Sequence, residues 1–552
     1  MPKRVRPAGA PVMFPVRLAS GRAACLAAAG LGVWFTSMQE AQAQGLLPPV
    51  GADVRVGDLR QQFTRVFDEN PPQNATQTWT YTPSIGISET FDNGVRRLNQ
   101  TFGADEVTRI TPELNVTGQS SRLQGTFDYA PTASVYAHNG NLNGVQQSLN
   151  TSGTATLVPD LLFLELRGYS ATQSYYTGQY ALNPSQLAPQ QQVQSSSFTA
   201  TPTLRHEFGS YGQVAASYSI SRTLIDASKV VALRGEPAPP SNFGNSTTQQ
   251  ENASFTTGDE FGRIKSVLSA ATLQTIGGGA SINQRSAVFN DQMSYAFTRL
   301  VALTASLGHE DIVYTGATKY KINDITWSGG IQLTPNADSN ISIGYGRSQG
   351  GTSLSLDSTY APTERTRVYA RYSQGVGTQA GNLRDAVANS VVGAGGITLD
   401  AAGAPVQLNT GTIGYQPGLY RTTRLSLSGV ILFELDTVTL SFEHDDSNVI
   451  NTTNAGTSVG TSSTGTTSSL AWSHIFTDAL NANSTLQYGT TSFGAGGPGN
   501  QQTTISTSVT LAYAISQTLN ATSSGTYTHV SGITFGYPVN HEIFVAGLRK
   551  TF

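Results

Sequence analysis

Charged side chains occur at alternate positions in several segments that otherwise alternate apolar and polar residues. The set comprises Glu165, Arg167, Arg367, Arg371, Arg424, Glu443 and Asp445. Because successive side chains of a strand point to opposite faces, each of these charges lies on the face away from its apolar neighbours. Charged side chains on the inner wall of a pore select solutes by charge. Buried charges also neutralise one another in pairs across neighbouring strands, and the sequence leaves both interpretations open.

Patterns typical of enzymes occur only where their structural context is missing. The run 456–460 has the spacing of a hydrolase nucleophile, but it lies in a Gly/Ser/Thr-rich loop rather than a strand-to-helix turn. The run 494–499 fits a dinucleotide-binding fingerprint, yet it contains Pro498 and opens no helix. The histidines are scattered without the spacing of metal ligands. We therefore predict no enzymatic activity, no cofactor and no metal site.

The charged positions belong to segments whose apolar residues recur with a period of two. Between positions 301 and 307, Val301, Leu303 and Leu307 alternate with Thr304 and Ser306. Comparable alternation is found in 214–220, 325–333, 437–443 and 505–513. A soluble antiparallel sandwich alternates too, but it does not need this pattern along nearly the whole chain with so few charges on the polar face. The pattern predicts an all-β fold, a transmembrane antiparallel up-and-down β-barrel.

The last strand carries the most specific form of this pattern. Phe544, Leu548 and the terminal Phe552 share one face, whereas Arg549 and Thr551 share the other. In a lipid-embedded barrel the apolar face points outward and the polar face lines the lumen. A strand of this kind that ends on a terminal Phe resembles the assembly signal of bacterial outer-membrane barrels, which implies recognition by the barrel-assembly machinery.

The composition agrees with a barrel wall of which one face is polar. Only 12% of residues are charged, about half the usual share in soluble domains. The net charge of -3 argues against nucleic acid as a partner, and the 22 Tyr and 22 Phe argue against disorder. After residue 43, no apolar run approaches the length of a membrane-spanning helix.

The N-terminal residues have the features of an export signal. Basic residues between Lys3 and Arg22 precede an apolar stretch from Ala23 to Phe35, and a small-x-small cleavage site ends at Ala43. We therefore predict a signal peptide over 1–43, export to the outer membrane of a Gram-negative bacterium and a mature chain without cysteine. Residues 44–76 are predicted to be a periplasmic tether, with a partial plug or a partner-docking helix as the alternatives. Residues 77–552 are predicted to form the barrel.

Connection lengths predict the orientation and the size of the barrel. Short turns are expected near 159–160, 207–209, 298–299, 335–338, 361–364, 433–434 and 477–478, between longer loops at 225–246, 378–417 and 531–540. Outer-membrane barrels have short periplasmic turns and long outer loops. With both termini in the periplasm, the chain is expected to form about 22 strands, within a range of roughly 18 to 24.

A run of short motifs in the middle of the chain carries a family resemblance. Residues 325–336 read ITWSGGIQLTPN, followed by Tyr345-Gly346-Arg347 and by 365–373, RTRVYARYS. These motifs, together with the opening 82–91, resemble the outer-membrane barrels associated with PEP-CTERM and exopolysaccharide systems. The resemblance implies the fold and the outer membrane, and it suggests exopolysaccharide or its secretion apparatus as a partner. It assigns no chemistry to any residue.

Two function classes follow from these features. In the first, the barrel is a porin-like pore or conduit for small solutes or an exported polysaccharide, and loop 378–417 folds inward as a constriction or lid. In the second, it is a non-conducting scaffold of an exopolysaccharide secretion or surface-attachment system. An aromatic- and Arg-lined lumen would favour passage of a glycan, whereas a lumen filled by loop and N-terminal residues would favour the scaffold.

Overall fold

The computed structural model describes residues 79–96, 102–174, 192–230, 245–277, 282–316, 319–388, 390–392, 398–400, 418–450, 462–494, 501–532 and 540–552. The predicted signal peptide (1–43) and tether (44–76) lie outside these residues. Both therefore remain predictions.

The described chain consists almost entirely of β-strands. They are β1 (Trp79–Arg96), β2 (Phe102–Gln119), β3 (Leu123–Tyr129), β4 (Thr132–Tyr136), β5 (Gly144–Gln146), β6 (Leu149–Val158), β7 (Leu162–Ser174), β8 (Gln192–Glu207), β9 (Gly212–Asp226), β10 (Ser246–Thr257), β11 (Ile264–Gly277), β12 (Ile282–Ala296), β13 (Val301–Gly316), β14 (Tyr320–Leu333), β15 (Asn340–Ser348), β16 (Gly351–Thr363), β17 (Thr366–Gly377), β18 (Ser390–Val392), β19 (Thr398–Asp400), β20 (Tyr420–Leu432), β21 (Asp436–Val449), β22 (Ser463–Thr477), β23 (Leu480–Phe493), β24 (Gln501–Ser516), β25 (Leu519–Gly532) and β26 (Asn540–Thr551). One α-helix in this part of the chain, α1 (Gln379–Ala388), precedes the small hairpin of β18 and β19.

The strands form one closed antiparallel sheet, as the alternation predicted. Consecutive strands pair along the chain, and β1 closes the sheet by pairing with β26 from Ser84↔Thr551 to Asp92↔Ile543. Strands β3 and β4 both pair with β2, so together they form one interrupted spanning strand. Strand β6 pairs with β3 and β5 pairs with β4, so β5 and β6 together form the next interrupted spanning strand. The described residues thus contain 22 spanning strands, and the predicted strand number is confirmed.

The apolar face of each strand forms the exterior of the barrel. Leu307 and Phe544 are 64% and 52% exposed. Leu440 and Val509 are also exposed, and each alternates with Ser or Thr neighbours that face inward. Lipid tails rather than water must cover such a continuous apolar band. None of the described helices is long and apolar enough to cross a membrane.

The inner wall is rich in hydroxyl side chains that bond to one another across strands. Ser306 pairs with Ser328 at 2.6 Å and Thr199 with Ser221 at 2.8 Å between their side-chain oxygens. A hydroxyl is both donor and acceptor, so each pair satisfies part of its own hydrogen-bonding capacity. The wall is consequently polar without being highly charged.

Turn lengths distinguish the two ends of the barrel. The end that carries Trp79 and Phe552 has short connections at 120–122, 159–161, 208–211, 297–300, 334–339, 364–365, 433–435 and 478–479, close to the predicted turns. We call it the turn end and the opposite end the loop end. At the loop end β15 and β16 are joined only by Gln349 and Gly350, whose φ angles of 50° and 70° suit a type I′ hairpin turn.

Candidate functional site

A patch of apolar residues on the inner wall breaks the rule that this face is polar. Three neighbouring strands contribute to the patch: Tyr169 on β7, Val193 on β8 and Ile225 on β9. On the same strands Leu166, Phe198 and Leu224 are exposed on the outer face. Because side chains alternate between the two faces, the three patch residues point inward. Val193 and Ile225 are almost fully buried. An inward apolar side chain would face water in an open pore, so the patch requires a covering element.

Helix α1 is that covering element. Its Leu383, Ala386 and Val387 are buried, and Tyr169 packs against this cluster. Ala380 packs against the patch formed by Val193 and Ile225. The positions 383, 386 and 387 share one helical face, since residues three and four apart are neighbours on a helix. Loop 378–417 was predicted to fold inward, and its residues Gln379–Ala388 form a helix that packs against the inner wall.

A buried arginine ties the helix to the next two strands. Arg384 is 4% exposed, and its Nη1 donates to Thr248 Oγ1 at 3.0 Å and to Thr275 Oγ1 at 3.1 Å. Its Nε donates to Asp385 Oδ1 at 2.7 Å, so the guanidinium charge is neutralised within the helix. Burial raises the pKa of the Asp385 carboxyl above its ordinary value, although the adjacent Arg384 acts to lower it.

Arg167, one of the predicted lumen-facing charges, holds the segment that follows the helix. Its Nε donates to the carbonyl oxygen of Ser390 at 3.1 Å, and its Nη1 donates to Thr151 O at 2.8 Å and Gly168 O at 2.7 Å. Glu165 has the same inward parity but is exposed, and it lies opposite Thr154 and Thr201 rather than beside Ser390. The structure thus gives the two residues different surroundings.

An apolar cluster at the loop end joins the last residues of β17, just before α1, to the residue just before β20. Tyr314, Ile322, Val376 and Leu419 pack together with Ile312, and the Tyr314 hydroxyl donates to Val376 O at 3.0 Å. Val376 lies just before α1 and Leu419 just before β20, so these two positions of the chain meet at the same place on the rim. The short β15–β16 hairpin makes this contact possible, because β13 and β17 come together beyond its tip.

The remaining predicted charges lie on the inner faces of β17, β20 and β21. Arg371 pairs with Asp357 on β16, with its Nε and Nη2 both 2.8 Å from Asp357 Oδ2. Arg424 forms an ion pair with Asp445, directly opposite it in the register, and its Nε is 3.3 Å from Glu443 Oε1. Neighbouring strands thus supply both signs of charge, which favours the pairing interpretation for these residues. Arg367 is buried on the same face.

Sequence reasoning did not select Asp357, Arg384 or the apolar patch. Asp357 has inward parity between Leu356 and Ser358, the same signal that identified Arg371. The patch was visible as apolar residues at inward positions, but their adjacency depends on the register of three strands. Within the described ranges, no group of three or more His, Cys, Asp and Glu side chains is arranged to hold a metal ion.

Comparisons with known proteins find similarity only among solved structures. No family model matches the sequence, and no curated protein matches it. The match to the FrpB iron transporter from Neisseria meningitidis (F3-3 variant) covers 90% of this chain and 83% of the transporter chain, with 10% identity and a TM-score of 0.48. The ferric-catecholate import receptor Fiu from E. coli K12 (open form) covers 85% and 81%, with 11% identity and a TM-score of 0.45. OccAB3 from Acinetobacter baumannii covers 86% and 99%, with 7% identity and a TM-score of 0.33. These TM-scores are below 0.5, and the barrel architecture rests on the strand pairing of the chain itself.

Proposed function

We propose that this chain is an outer-membrane conduit whose bore is narrowed by helix α1. The observation that carries the proposal is the match between the inner-wall patch and the helix. Tyr169, Val193 and Ile225 are apolar where a barrel wall is ordinarily polar. Leu383 and Val387 pack on Tyr169, and Ala380 packs on Val193 and Ile225. A helix that lies against the inner wall is an element that can set the bore of a conduit.

The chemistry of the wall indicates the class of solute. Its hydroxyl pairs offer many weak, exchangeable hydrogen bonds, while Arg371 and Arg424 are neutralised by acids on neighbouring strands. Such a wall suits an uncharged or weakly charged polar solute better than an ion. An exported polysaccharide has this chemistry, and the resemblance of 325–373 to the barrels of PEP-CTERM and exopolysaccharide systems favours it over other polar solutes.

The alternative is a non-conducting scaffold barrel for polysaccharide secretion or surface attachment. The pairing of Arg424 with both Glu443 and Asp445 favours this alternative, because these charges then stabilise the wall instead of facing a solute. In that case α1 would be part of a filled lumen. The two functions differ in whether the folded protein passes current across a membrane.

Single-channel conductance in planar bilayers tests the proposal. Val387 is fully buried against the wall, whereas the next residue, Ala388, is exposed. Val387→Asp should weaken the docking of α1, because it buries an unpaired carboxylate, and should raise the conductance or its fluctuation. Ala388→Asp adds the same charge at a solvated position and should leave the conductance close to that of the unchanged protein.

Two results would contradict the proposal. Silence at all voltages from protein that shows heat-modifiable migration on gels would indicate the scaffold. Equal conductance of the unchanged protein and of folded Val387→Asp would show that α1 does not set the bore.

A further inference from the structure

Glu165 on β7 and Arg205 on β8 are oppositely charged residues of the inner wall whose side chains are not paired with each other. Both point inward, because Leu166 and Leu204 on the same strands are exposed on the outer face. Within the described part of the chain, neither side chain forms a hydrogen bond or an ion pair, and Arg205 Nε is buried without a partner. Arg371, in contrast, pairs with an acid on the neighbouring strand. The charges of Glu165 and Arg205 are therefore available to a ligand.

An aromatic ring lies between the two charges. The backbone N–H of Arg205 donates to Leu161 O at 2.8 Å, so Arg205, Phe163 and Glu165 follow one another from the turn end toward the loop end. The central guanidinium carbon of Arg205 is 5.9 Å from the centroid of the Phe163 ring, which is within the range of a cation–π contact. This contact holds the guanidinium at the wall but uses none of its five N–H donors in a hydrogen bond.

Threonine hydroxyls border these three side chains. Thr154 on β6 and Thr201 on β8 lie directly opposite Glu165, and Thr203 on β8 lies opposite Phe163. Residues that are paired across neighbouring strands share a face of the sheet, so the three threonines also point inward. Each hydroxyl can donate and accept hydrogen bonds. We call this group the entrance strip: Phe163, Glu165, Arg205, Thr154, Thr201 and Thr203.

The entrance strip lies directly on the turn-end side of helix α1. Arg167, which holds Ser390, is the next inward residue of β7 after Glu165, about 7 Å farther toward the loop end. Tyr169, which packs against α1, follows about 7 Å beyond Arg167. A solute that enters the barrel from the turn end therefore meets the entrance strip before it reaches the helix.

We propose that the entrance strip is a binding site for an uncharged oligosaccharide at the turn-end entrance of the conduit. Binding sites for small polar molecules combine aromatic surface with a few placed polar groups. The C–H face of a sugar ring can pack against Phe163, while sugar hydroxyls donate to the Glu165 carboxylate and accept from the Arg205 guanidinium. An anionic or cationic sugar would be repelled by one of the two charges, whereas an uncharged sugar uses both. The inference rests on the proposed conduit and names the place where its solute is recognised.

Calorimetric titration of the refolded protein in detergent tests the site whether or not the barrel conducts. The probes are maltohexaose, cellohexaose and mannohexaose, with the anionic hexagalacturonate and the cationic glucosamine hexamer beside them. At least one uncharged probe should bind, and Phe163→Ala and Glu165→Gln should each raise its Kd about fivefold, because each removes one contact with the sugar. Phe208→Ala is the matched control and should leave the Kd unchanged. Phe208 is an exposed aromatic residue of the same turn end, and its ring contacts His206, which has the outward parity of Leu204.

Thiol protection keeps the proposal testable if the Phe163→Ala variant does not fold. The only cysteine of the sequence, Cys25, lies in the predicted signal peptide, so a single Thr203→Cys reports on the border of the strip. The bound sugar should slow the labelling of this cysteine by a membrane-impermeant maleimide. Labelling of Ser355→Cys, on the exposed inner face of β16, should not change.

Failure of the site and failure of the conduit give different results. Binding of an uncharged probe that depends on Phe163 and Glu165, in protein that passes no current, would support the site and reject the conduit. Conductance without binding of any uncharged probe would overturn the site and leave the conduit in place. Tighter binding of a charged probe than of every uncharged one, or equal protection at positions 203 and 355, would also overturn the proposed site.

Discussion

His541 on the last strand and Asp92 on the first strand form a buried pair that closes the barrel. Their Nε2 and Oδ1 atoms are 2.7 Å apart across 449 residues of sequence, and each side chain is 6% exposed. Toward the turn end of the same seam, Arg549 pairs with Glu113 and its Nε donates to Ser84 Oγ at 3.1 Å. The seam thus has a charged or polar contact on its inner face near both ends, in addition to its backbone ladder.

Loss of the His541 contact should destabilise the barrel. His541→Ala leaves the buried Asp92 carboxylate without its imidazole partner, which costs about 1–3 kcal/mol. We expect a lower midpoint temperature for the heat-induced shift in gel migration. His529→Ala is the matched control, because His529 pairs with Asn540 at an exposed site, and it should change the midpoint little. Equal shifts for both variants would contradict a special role for the seam.

Variants of the Arg371–Asp357 pair test whether the wall charges select solutes or only neutralise one another across neighbouring strands. If solute passes close to the pair, Arg371→Ser should shift the reversal potential toward cation selectivity, because it removes a positive charge from the wall beside the Asp357 carboxylate. Asp357→Asn should shift it in the opposite direction. If the pair only stabilises the wall, both variants should keep the selectivity of the unchanged protein and lower its stability. Reversal potentials in a salt gradient, with gel-shift midpoints, distinguish these outcomes.

The cluster of Arg424, Glu443 and Asp445 has one cation for two carboxylates. Arg424→Met should cost about 3–5 kcal/mol, because it leaves buried carboxylates without their countercharge. Adding Asp445→Asn removes one of the two negative charges that Arg424 compensates. The double variant should therefore recover part of the lost stability. Unfolding midpoints of the two variants measure this recovery. A double variant that is less stable than Arg424→Met would argue against an electrostatic origin of the loss.

Alternation along single strands was enough to predict the barrel, and the connection lengths were enough to predict about 22 strands. It could not predict which charges meet, because a contact such as that of Arg424 with Asp445 depends on the pairing of β20 with β21. The same limit applies to Val193 and Ile225, whose inward parity is visible in the sequence but whose proximity is not. The patch then explains why Leu383 and Val387 belong to a helix that lies against the wall.

Gly94 has a place in the seam that only a residue without a side chain can take. It lies in the irregular part of β1 between Asp92 and Val95, and a Cβ there would be 2.4 Å from His541 Cδ2. Gly94→Ala should therefore push the imidazole away from Asp92 and lower the unfolding midpoint about as much as His541→Ala. Gly525→Ala on β25, where a Cβ would meet open space, should have little effect.

The double variant Gly94→Ala/His541→Ala tests whether the two changes act on the same contact. Residues that share one interaction lose it only once, so their effects are not additive. We expect the double variant to be no less stable than either single variant, because truncation of His541 also removes the clash with the new methyl group. Additive losses in the unfolding midpoint would mean that Gly94 is needed for the backbone of β1 itself and not for the position of His541.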